Sequence, residues 1–468
     1  MSKRSGFEYA LLSALCVAVA GSTYAVVAGA GKADPSFLDP ILVVKHLIDK
    51  NYVDTLDEKK LEAMQTGAIN GMIEALNDPY TVYVPPEDAQ DFNKDLLGEY
   101  VGIGAQVNIK DNYLTIVSPL ENSPALRAGL MPDDKIIEIN GESTLGKDVD
   151  WCIDRLLGQA ATAVDVKVQR GTETYDLSII RRPIKTKSVK GFHRNEQDQT
   201  TWDYMLDEER GIAYIRITQF TPRVSLEVAQ ALLSIGADQG KVKGLVMDLR
   251  FNPGGLLSEA VNIADLFLDE GVIVSTKGRS HPEVKEEARR GNTLPNFPLV
   301  VLLNEQSASA SEVLAGALVE NNRAVVVGTR SFGKGSVQSL KSLENGGEFK
   351  ITEQGYYLPS GRSITRKDGA TQWGVDPTKG FYVPMTDDQL RDMILTQRKL
   401  DLLKGSNDAA PDTEIETKFP TRLPASAFAG GEVEPSDVLE QPKWNDHEWV
   451  LAHMKDPQLA AAVKAELE

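Results

Sequence analysis

The chain has 468 residues, 41% hydrophobic and 25% charged, which is the composition of an ordinary globular protein with two or three domains. Its net charge of −18 disfavours nucleic acid or an anionic membrane as a main partner, because like charges repel. The two cysteines, Cys16 and Cys152, predict no disulfide in the soluble region and lack the basic surroundings that activate a catalytic thiol. The sequence has no cluster of metal-ligand residues, so we expect neither a metal nor another cofactor.

The amino terminus, residues 1–31, has the pattern of an export signal. Lys3 and Arg4 precede an apolar stretch that runs from about residue 7 to residue 30. The small residues 28–30 would suit cleavage of a signal peptide, whereas a stretch of about 20 residues would also span a bilayer as an anchor. Both alternatives place the rest of the chain in the periplasm or on the extracytoplasmic face, with or without an N-terminal transmembrane helix.

Residues 34–97 carry apolar side chains at helical spacing, and this spacing predicts two helices. The repeat runs through Leu38, Ile41, Leu42, Val44, Leu47 and Ile48, and then through Leu61, Met64, Ala68, Met72 and Leu76. The sequence Asn77-Asp78-Pro79-Tyr80 predicts a turn that ends the second helix. We expect this segment to serve in packing or dimer contact, not in catalysis.

Residues 98–184 are typical of a small β-rich domain. The pattern predicts strands at 114–117, 136–139, 164–168 and 175–180, with helices at 123–128 and 148–157. The segments 123–130 and 133–141 resemble a PDZ domain, which adds a peptide to a sheet edge and holds its carboxylate on backbone amides. The loop Tyr100, Val101, Gly102, Ile103 and Gly104 is the candidate substrate-binding site, because glycines leave N–H groups unobstructed. A plain scaffold loop is the alternative.

Residues 186–403 alternate buried strands with helices, which indicates a layered α/β structure. Predicted strands are 212–217, 244–249 and 299–303, and predicted helices are 224–233 and 260–268. Gly254 and Gly255 lie between a strand and a helix, where backbone N–H groups can face a reacting atom, although a tight turn is the commoner role. We expect Asp248 and Arg250 to form a structural pair. Residues 404–468 predict a linker or extended arm and a short closing helix.

The segment from 299 to 338 carries the candidate chemistry. Ser309 is predicted at the start of a helix, where unpaired N–H groups and the helix dipole favour negative charge. The segment contains no histidine, so the candidate base is Lys334, which must be buried or placed beside another cation to lose its proton near neutral pH. Gln338 is a neutral group that could orient the amine without holding it charged.

The residues 307–312 (Ser-Ala-Ser-Ala-Ser-Glu), 332–335 (Phe-Gly-Lys-Gly) and Gln338 together resemble the carboxyl-terminal processing proteases, which are serine–lysine endopeptidases. The resemblance implies that Ser309 is the nucleophile, Lys334 the general base, and Gln338 the residue that positions the lysine. It also implies an oxyanion hole made of the backbone amides of Gly255 and Ala310. Ser307 and Ser311 are then structural.

The fold implied by this resemblance is α/β: a ClpP- and crotonase-like protease core with an inserted PDZ domain and helical N- and C-terminal segments. The implied function is exported endopeptidase activity near the C-terminus of proteins, through an acyl-enzyme on Ser309. The PDZ domain would hold an apolar C-terminal tail and gate the site. The resemblance leaves open an activating or adaptor protein, and a homodimer.

Two other classes of function compete with this interpretation. One is a peptide-binding scaffold without activity, but the intact Ser309, Lys334 and Gln338 argue against it. The other is a crotonase-type acyl-transfer enzyme acting on thioesters. The PDZ-like insertion and the export signal favour a peptide substrate.

Overall fold

The computed structural model describes residues 37–89, 92, 100–120, 122–184, 187–195, 197–291, 293–402, 417–424 and 447–467. The predicted export segment, residues 1–31, and most of the predicted arm lie outside these residues. Within the described ranges, no helix is both long and apolar enough to cross a membrane. The chain divides into two units, residues 1–76 and residues 77–468.

The first unit contains the two predicted helices, α1 (Asp39–Asn51) and α2 (Glu58–Glu74). The Asp57 carboxylate caps α2 by accepting a hydrogen bond from the Lys60 amide at 2.9 Å. Neither helix has a buried residue in the single chain, and the apolar side chains of α1 are largely exposed. This unit therefore presents an apolar surface.

The second unit begins with the predicted turn and a short strand, β1 (Val82–Val84), and continues into the PDZ module. The module comprises β2 (Tyr100–Gly102), β3 (Ala105–Lys110), β4 (Tyr113–Pro119), α3 (Pro124–Arg127), β5 (Lys135–Ile139), β6 (Glu142–Ser143), α4 (Val149–Leu156), β7 (Ala163–Arg170), β8 (Glu173–Ile180) and β9 (Arg182–Ile184). Its antiparallel sheet has the order β3-β4-β5-β7-β8. The alternation of buried residues along β7 explains why these strands were predictable from sequence.

A short piece of the predicted arm, residues 417–424, packs against the PDZ module, and we call it the C-terminal strap. Ser178 anchors it twice, because its hydroxyl accepts from the Phe419 amide and its amide donates to the Pro420 carbonyl, both at 3.0 Å. Leu423 is buried within the apolar core of the module, and its amide donates to the Ala128 carbonyl at 3.0 Å. Of the two predicted alternatives, a linker or an extended arm, these eight residues therefore resemble the arm.

The α/β core follows, and its elements run in chain order. They are β10 (Val189–Lys190), β11 (His193–Arg194), β12 (Trp202–Asp203), β13 (Met205–Asp207), β14 (Ile212–Ile217), α5 (Val224–Ser234), β15 (Gly244–Asp248), α6 (Leu257–Asp265), β16 (Val272–Gly278), β17 (His281–Glu287), β18 (Leu299–Leu303), α7 (Ala310–Glu320), β19 (Val325–Gly328), β20 (Ser336–Ser342), β21 (Glu348–Tyr357), α8 (Asp387–Asp401), α9 (His447–Met454) and α10 (Pro457–Leu467).

The central sheet has the order β10-β14-β15-β18-β19, with the last four strands parallel. Both faces are buried, since alternate residues of each strand enter two separate apolar clusters. Helices α5, α6 and α7 supply residues to one cluster, and α9 and α10 supply residues to the other. The C-terminal helices thus complete the core. A second sheet, β1-β21-β16-β17 with β20 paired to β21, flanks the catalytic segment.

Candidate active site

Ser309 lies at the N-terminus of α7 in a strained backbone conformation. Its φ is 57° and its ψ is −115°, a combination that few residues other than glycine adopt. The flanking serines hold the loop in place, because Ser307 Oγ donates to the Leu249 carbonyl at 2.9 Å and Ser311 Oγ donates to the Asn252 carbonyl at 3.0 Å. Strain held by surrounding hydrogen bonds is common at active sites.

The loop that carries Gly254 and Gly255 packs directly against this serine. Gly254 has a φ of 101°, and a Cβ atom there would lie 2.7 Å from the Cβ of Ser309. No residue with a side chain could bring the backbone so close. Asn252 fixes the loop through its side chain, which accepts from the Gly254 amide at 2.9 Å.

The two amides predicted to form an oxyanion hole, those of Gly255 and Ala310, are left unused by the hydrogen bonds of the described residues around them. Phe220 pairs with the residues on either side of Gly255, since its amide donates to the Gly254 carbonyl and its carbonyl accepts from Leu256, each at 2.9 Å. Gly255 itself makes no such bond. Within the described residues, neither the Gly255 amide nor the Ala310 amide donates a hydrogen bond, so both donors are available.

Glu312, which the sequence reasoning missed, joins the serine segment to the lysine segment. Its side chain is fully buried, and one carboxylate oxygen accepts from the amides of both Ser309 and Lys334 at 2.8 Å. The other oxygen accepts from Ser331 Oγ and the Gly333 amide at 2.6 Å. Burial raises the pKa of Glu312, although these four bonds act in the opposite direction. The Ser-x-x-Glu pattern of a helix capping box was the available signal.

Lys334 is half-buried beside the serine segment. Desolvation lowers the pKa of its amine, the positive charge of Lys350 acts in the same direction, and Glu312 opposes both. The Tyr80 ring lies 4.7 Å from Lys334 Nζ. The turn at residues 77–80, which we expected to serve only in packing, therefore reaches the candidate base. Only the neutral amine can accept a proton, and a lowered pKa makes that neutral form more abundant near neutral pH.

Gln338 does not contact the lysine in this conformation. Its Nε2 donates to Ser336 Oγ at 2.7 Å and to Thr352 Oγ1, across the β20-β21 pair, at 3.4 Å. Among the described residues there is no hydrogen bond between Gln338 and Lys334, and none between Ser309 Oγ and Lys334 Nζ. The serine contacts Tyr356 instead. Burial raises the pKa of Tyr356 to about 12, and a hydrogen bond with Ser309 acts against that rise.

The loop predicted to bind a substrate carboxylate has a suitable backbone. The carbonyls of Ile103 and Gly104 accept hydrogen bonds from Ala125 and Leu120, whereas their amides donate none within the described residues. Gly104 has a φ of 71°, and a Cβ there would lie 2.6 Å from the Cβ of Ser123. Val101 and Gly102 pair with β9. Tyr100 begins β2, and its side chain lies outside the described residues.

The expected pair between Asp248 and Arg250 is confirmed, and it belongs to a larger buried network. The guanidinium of Arg250 contacts Asp248 Oδ2 at 2.6 Å and Asp456 Oδ2 at 2.8 Å, and Tyr214 Oη donates to Asp248 at 2.7 Å. The network links the strand that leads to Gly254 with the C-terminal helix α10. In the described part of the chain, no group of three or more His, Cys, Asp or Glu side chains could hold a metal ion.

Comparison with known proteins gives matches along most of the chain. The models of peptidase family S41, the PDZ domain and the "Activating protease CtpB N-terminal domain" match residues 211–379, 115–170 and 23–88. The carboxy-terminal-processing protease of Bartonella bacilliformis is 37% identical over 369 residues, which span 77% of this chain and 80% of that protein. A probable CtpA-like serine protease of Staphylococcus aureus is 36% identical over 343 residues, 73% of this chain and 65% of its own length.

Among solved structures, the photosystem II D1 C-terminal processing protease is 26% identical, covers 79% of this chain and 97% of its own, and has a TM-score of 0.44. The α/β core, the strained serine at a helix N-terminus and the family matches define the class as serine proteases. Within that class, the chain belongs to the carboxyl-terminal-processing proteases of peptidase family S41. The predicted family and the predicted fold, an α/β protease core with a PDZ domain, are confirmed. Protease membership leaves no support for the thioester alternative.

Proposed function

We propose that this protein is an exported endopeptidase that cleaves proteins near their C-terminus through an acyl-enzyme on Ser309, with Lys334 as general base. One observation carries the proposal: a single Glu312 oxygen accepts hydrogen bonds from the amides of both Ser309 and Lys334. Each backbone nitrogen lies 2.8 Å from the same oxygen, so the Ser309 and Lys334 nitrogens are separated by no more than 2 × 2.8 Å. That spacing supports a shared serine–lysine site.

The chemistry proceeds by proton transfer and covalent catalysis. The neutral Lys334 amine takes the proton of Ser309 Oγ as that oxygen attacks the scissile carbonyl. The amides of Gly255 and Ala310 stabilise the oxyanion, and each such donor contributes about 2.7–4 kcal/mol to the transition state. The lysine then protonates the departing amine, and a water molecule, deprotonated by the same lysine, hydrolyses the acyl ester.

This sequence of steps requires a hydrogen bond between Lys334 Nζ and Ser309 Oγ, which the described residues do not form in the present conformation. Catalytic hydrogen bonds are often long in free enzymes and tighten on substrate binding. In the substrate-bound state, Gln338 would give up its hydrogen bond to Ser336 and bind the lysine amine instead, which would orient the amine. The neutral amide would hold the amine in position without favouring its charged form.

The PDZ module supplies the site for the substrate tail. An apolar C-terminal tail would add to β3 opposite α4, with its carboxylate on the amides of Ile103 and Gly104. Tail binding would gate the active site. Deletion of residues 98–184, together with the strap, tests the gate: activity retained on tailed substrates, with no gain on untailed ones, would contradict it.

Two further proposals concern location and partners. Export through residues 1–31 would place the enzyme in the periplasm or on the extracytoplasmic face of a membrane, with the anchor retained or removed. The apolar side chains exposed on α1 favour a homodimer through the first unit, and an activating or adaptor protein is a second kind of partner. Sedimentation of the purified chain would test for the homodimer.

The test of the catalytic proposal is cleavage of an unfolded protein with an apolar C-terminal tail, followed by mass spectrometry. We expect the parent to cleave it, and Ser309→Ala and Lys334→Ala to lose at least about 10³-fold in rate, because both act in one covalent step. Equal rates in all three proteins would refute the assignment of these residues. Tail binding without any cleavage by the parent would favour a scaffold.

A further inference from the structure

A cavity of about 1020 Å³ lies between the PDZ module and the protease core. One wall comes from the module, from residues 102–108 and helix α4, and it includes the apolar side chains of Val107, Ile153 and Leu156. The space between β3 and α4 is where a PDZ domain adds a peptide strand. This wall therefore suits the apolar part of a substrate tail.

The opposite wall comes from the core, and its side chains are cationic. Lys190 and Arg216 both contact the carboxylate of Asp401, the last residue of α8; the Lys190 Nζ to Oδ2 distance is 2.9 Å. Arg194 Nε donates to the Asp401 main-chain carbonyl at 3.1 Å. One carboxylate is thus shared by the two side-chain cations that contact it, with a third cation adjacent.

Among the described residues that line the cavity, six side chains are positive and two are negative. It is lined by Lys187, Lys190, Arg194, Arg216, Arg250 and Arg398, against Asp248 and Asp401. Arg250 is already matched by Asp248 and Asp456 in the buried network. A positive surplus in this one cavity contrasts with the net charge of −18 carried by the whole chain.

Burial makes an added anion favourable here. Arg216 Nε is buried and has no hydrogen-bond partner among the described residues. Desolvation lowers the pKa of Lys190, and the neighbouring charge of Arg216 acts in the same direction. A desolvated cation gains more from an additional carboxylate than an exposed cation does, because water no longer screens the pair.

We propose that this cavity is a carboxylate-binding site for the substrate tail, in which Lys190, Arg194 and Arg216 recognise a carboxylate while the PDZ wall holds apolar side chains. The carboxylate is that of an Asp or Glu side chain near the end of the tail, because the terminal carboxylate is assigned to the amides of Ile103 and Gly104. The preferred tail is therefore apolar with an added acidic group. The cavity also borders Asp248, Arg250 and Phe251, which lead into the Gly254 loop, so the tail lies close to the catalytic segment. This inference rests on the proposed peptidase function.

The test measures tail binding by fluorescence anisotropy, with the full chain carrying Ser309→Ala so that nothing is cleaved. Three labelled ten-residue peptides share one apolar end: the first has a Glu near its C-terminus, the second has Gln in its place, and the third is the second with an amidated terminus. The comparison proteins add Lys190→Gln, the charge-preserving Lys190→Arg, or Lys285→Gln, which removes an exposed lysine of β17 outside the cavity. Thermal unfolding of each protein checks the fold.

We expect the peptide with Glu to bind roughly tenfold more tightly than the peptide with Gln, and the gap to shrink as salt rises. Lys190→Gln should remove this gap while Lys190→Arg and Lys285→Gln keep it. If Lys190→Gln instead removes the difference between the free and amidated peptides, the cavity binds the terminal carboxylate and the side-chain assignment is overturned. A loss of affinity on amidation that is the same in the parent and in Lys190→Gln is assigned to the amides of Ile103 and Gly104.

Differences between peptides that are the same in the parent and in Lys190→Gln would overturn the carboxylate site. Cleavage of the peptide with Gln by the chain with Ser309 intact distinguishes a wrong carboxylate site from a wrong peptidase function. If that cleavage occurs, only the carboxylate site is wrong. If no peptide is bound or cleaved by any of the proteins, the peptidase proposal fails together with it.

Discussion

At the scale of single residues, the proposed mechanism depends on the neutral form of Lys334. Desolvation and the charge of Lys350 lower the pKa of Lys334, and Glu312 limits that fall. The sequence showed Ser309 and Lys334 because their local motifs are short and contiguous. The capping-box pattern of Glu312 was present in the sequence but was not used, whereas Tyr356 and Lys350 have no local signal, because only the folded chain brings them to the site.

Lys350→Met should raise the pKa of Lys334, because a positive charge that disfavours the ammonium form is removed. The base works only when neutral, so the rising limb of kcat/KM against pH should move to higher pH. Activity at pH 7 should fall and should recover at alkaline pH. Lys350→Arg, which keeps the charge, is the control. An unchanged limb in Lys350→Met would show that the two amines are not coupled.

At the scale of elements, strands and helices with regular apolar periods were predictable, and those without were not. Strands 212–217 and 299–303 were predicted with the observed bounds, since both are short buried apolar runs. Strand β17 was missed because its residues are mainly polar and exposed, and its position depends on pairing with β16. The C-terminal strap was missed for a similar reason. Its single buried leucine lies in a polar segment, so no repeating apolar pattern marks it.

Leu423→Ala should destabilise the PDZ module by about 2 kcal/mol, because it leaves a cavity in the apolar core that Leu423 fills. Hydrogen exchange should show faster opening at the Ser178 amide, which bonds the strap directly. Lys418→Ala, in the exposed part of the strap, is the matched control and should change stability by less than about 0.5 kcal/mol. Equal protection in Leu423→Ala and the parent would mean that the strap does not stabilise the module.

At the scale of the whole molecule, the core is closed by residues distant in sequence. The C-terminal helices α9 and α10 bury one face of the central sheet. Arg250 forms an ion pair with Asp456, which directly precedes α10. Burial alone would raise the pKa of Asp248, but the Arg250 charge and hydrogen bonds from Arg250 and Tyr214 hold it below its ordinary value. The stability that Asp248 contributes is therefore present above its unfolded pKa, near 4, and is lost as pH falls through the folded pKa.

Arg250→Met should reduce the free energy of unfolding by about 3–5 kcal/mol at pH 7, because it leaves two buried carboxylates without their cation. The folded pKa of Asp248 should then rise above its unfolded value. Between pH 7 and pH 5 the variant should gain stability as Asp248 takes up a proton in the folded state, while the Asp248 contribution in the parent stays unchanged, so the difference between them should shrink. Urea unfolding at pH 7 and pH 5 measures this difference, and Arg391→Met, an exposed arginine of α8, is the control. A difference that stays constant with pH would contradict the network.

The strap also bears on how such proteins diversify. A PDZ domain is commonly regarded as a cassette that recombination can exchange between genes. Here one of its core leucines is encoded more than two hundred codons beyond the rest of the module. A foreign domain inserted at residues 98–184 would meet a strap shaped for another partner, so successful exchange requires a matching change at a second, distant point of the gene.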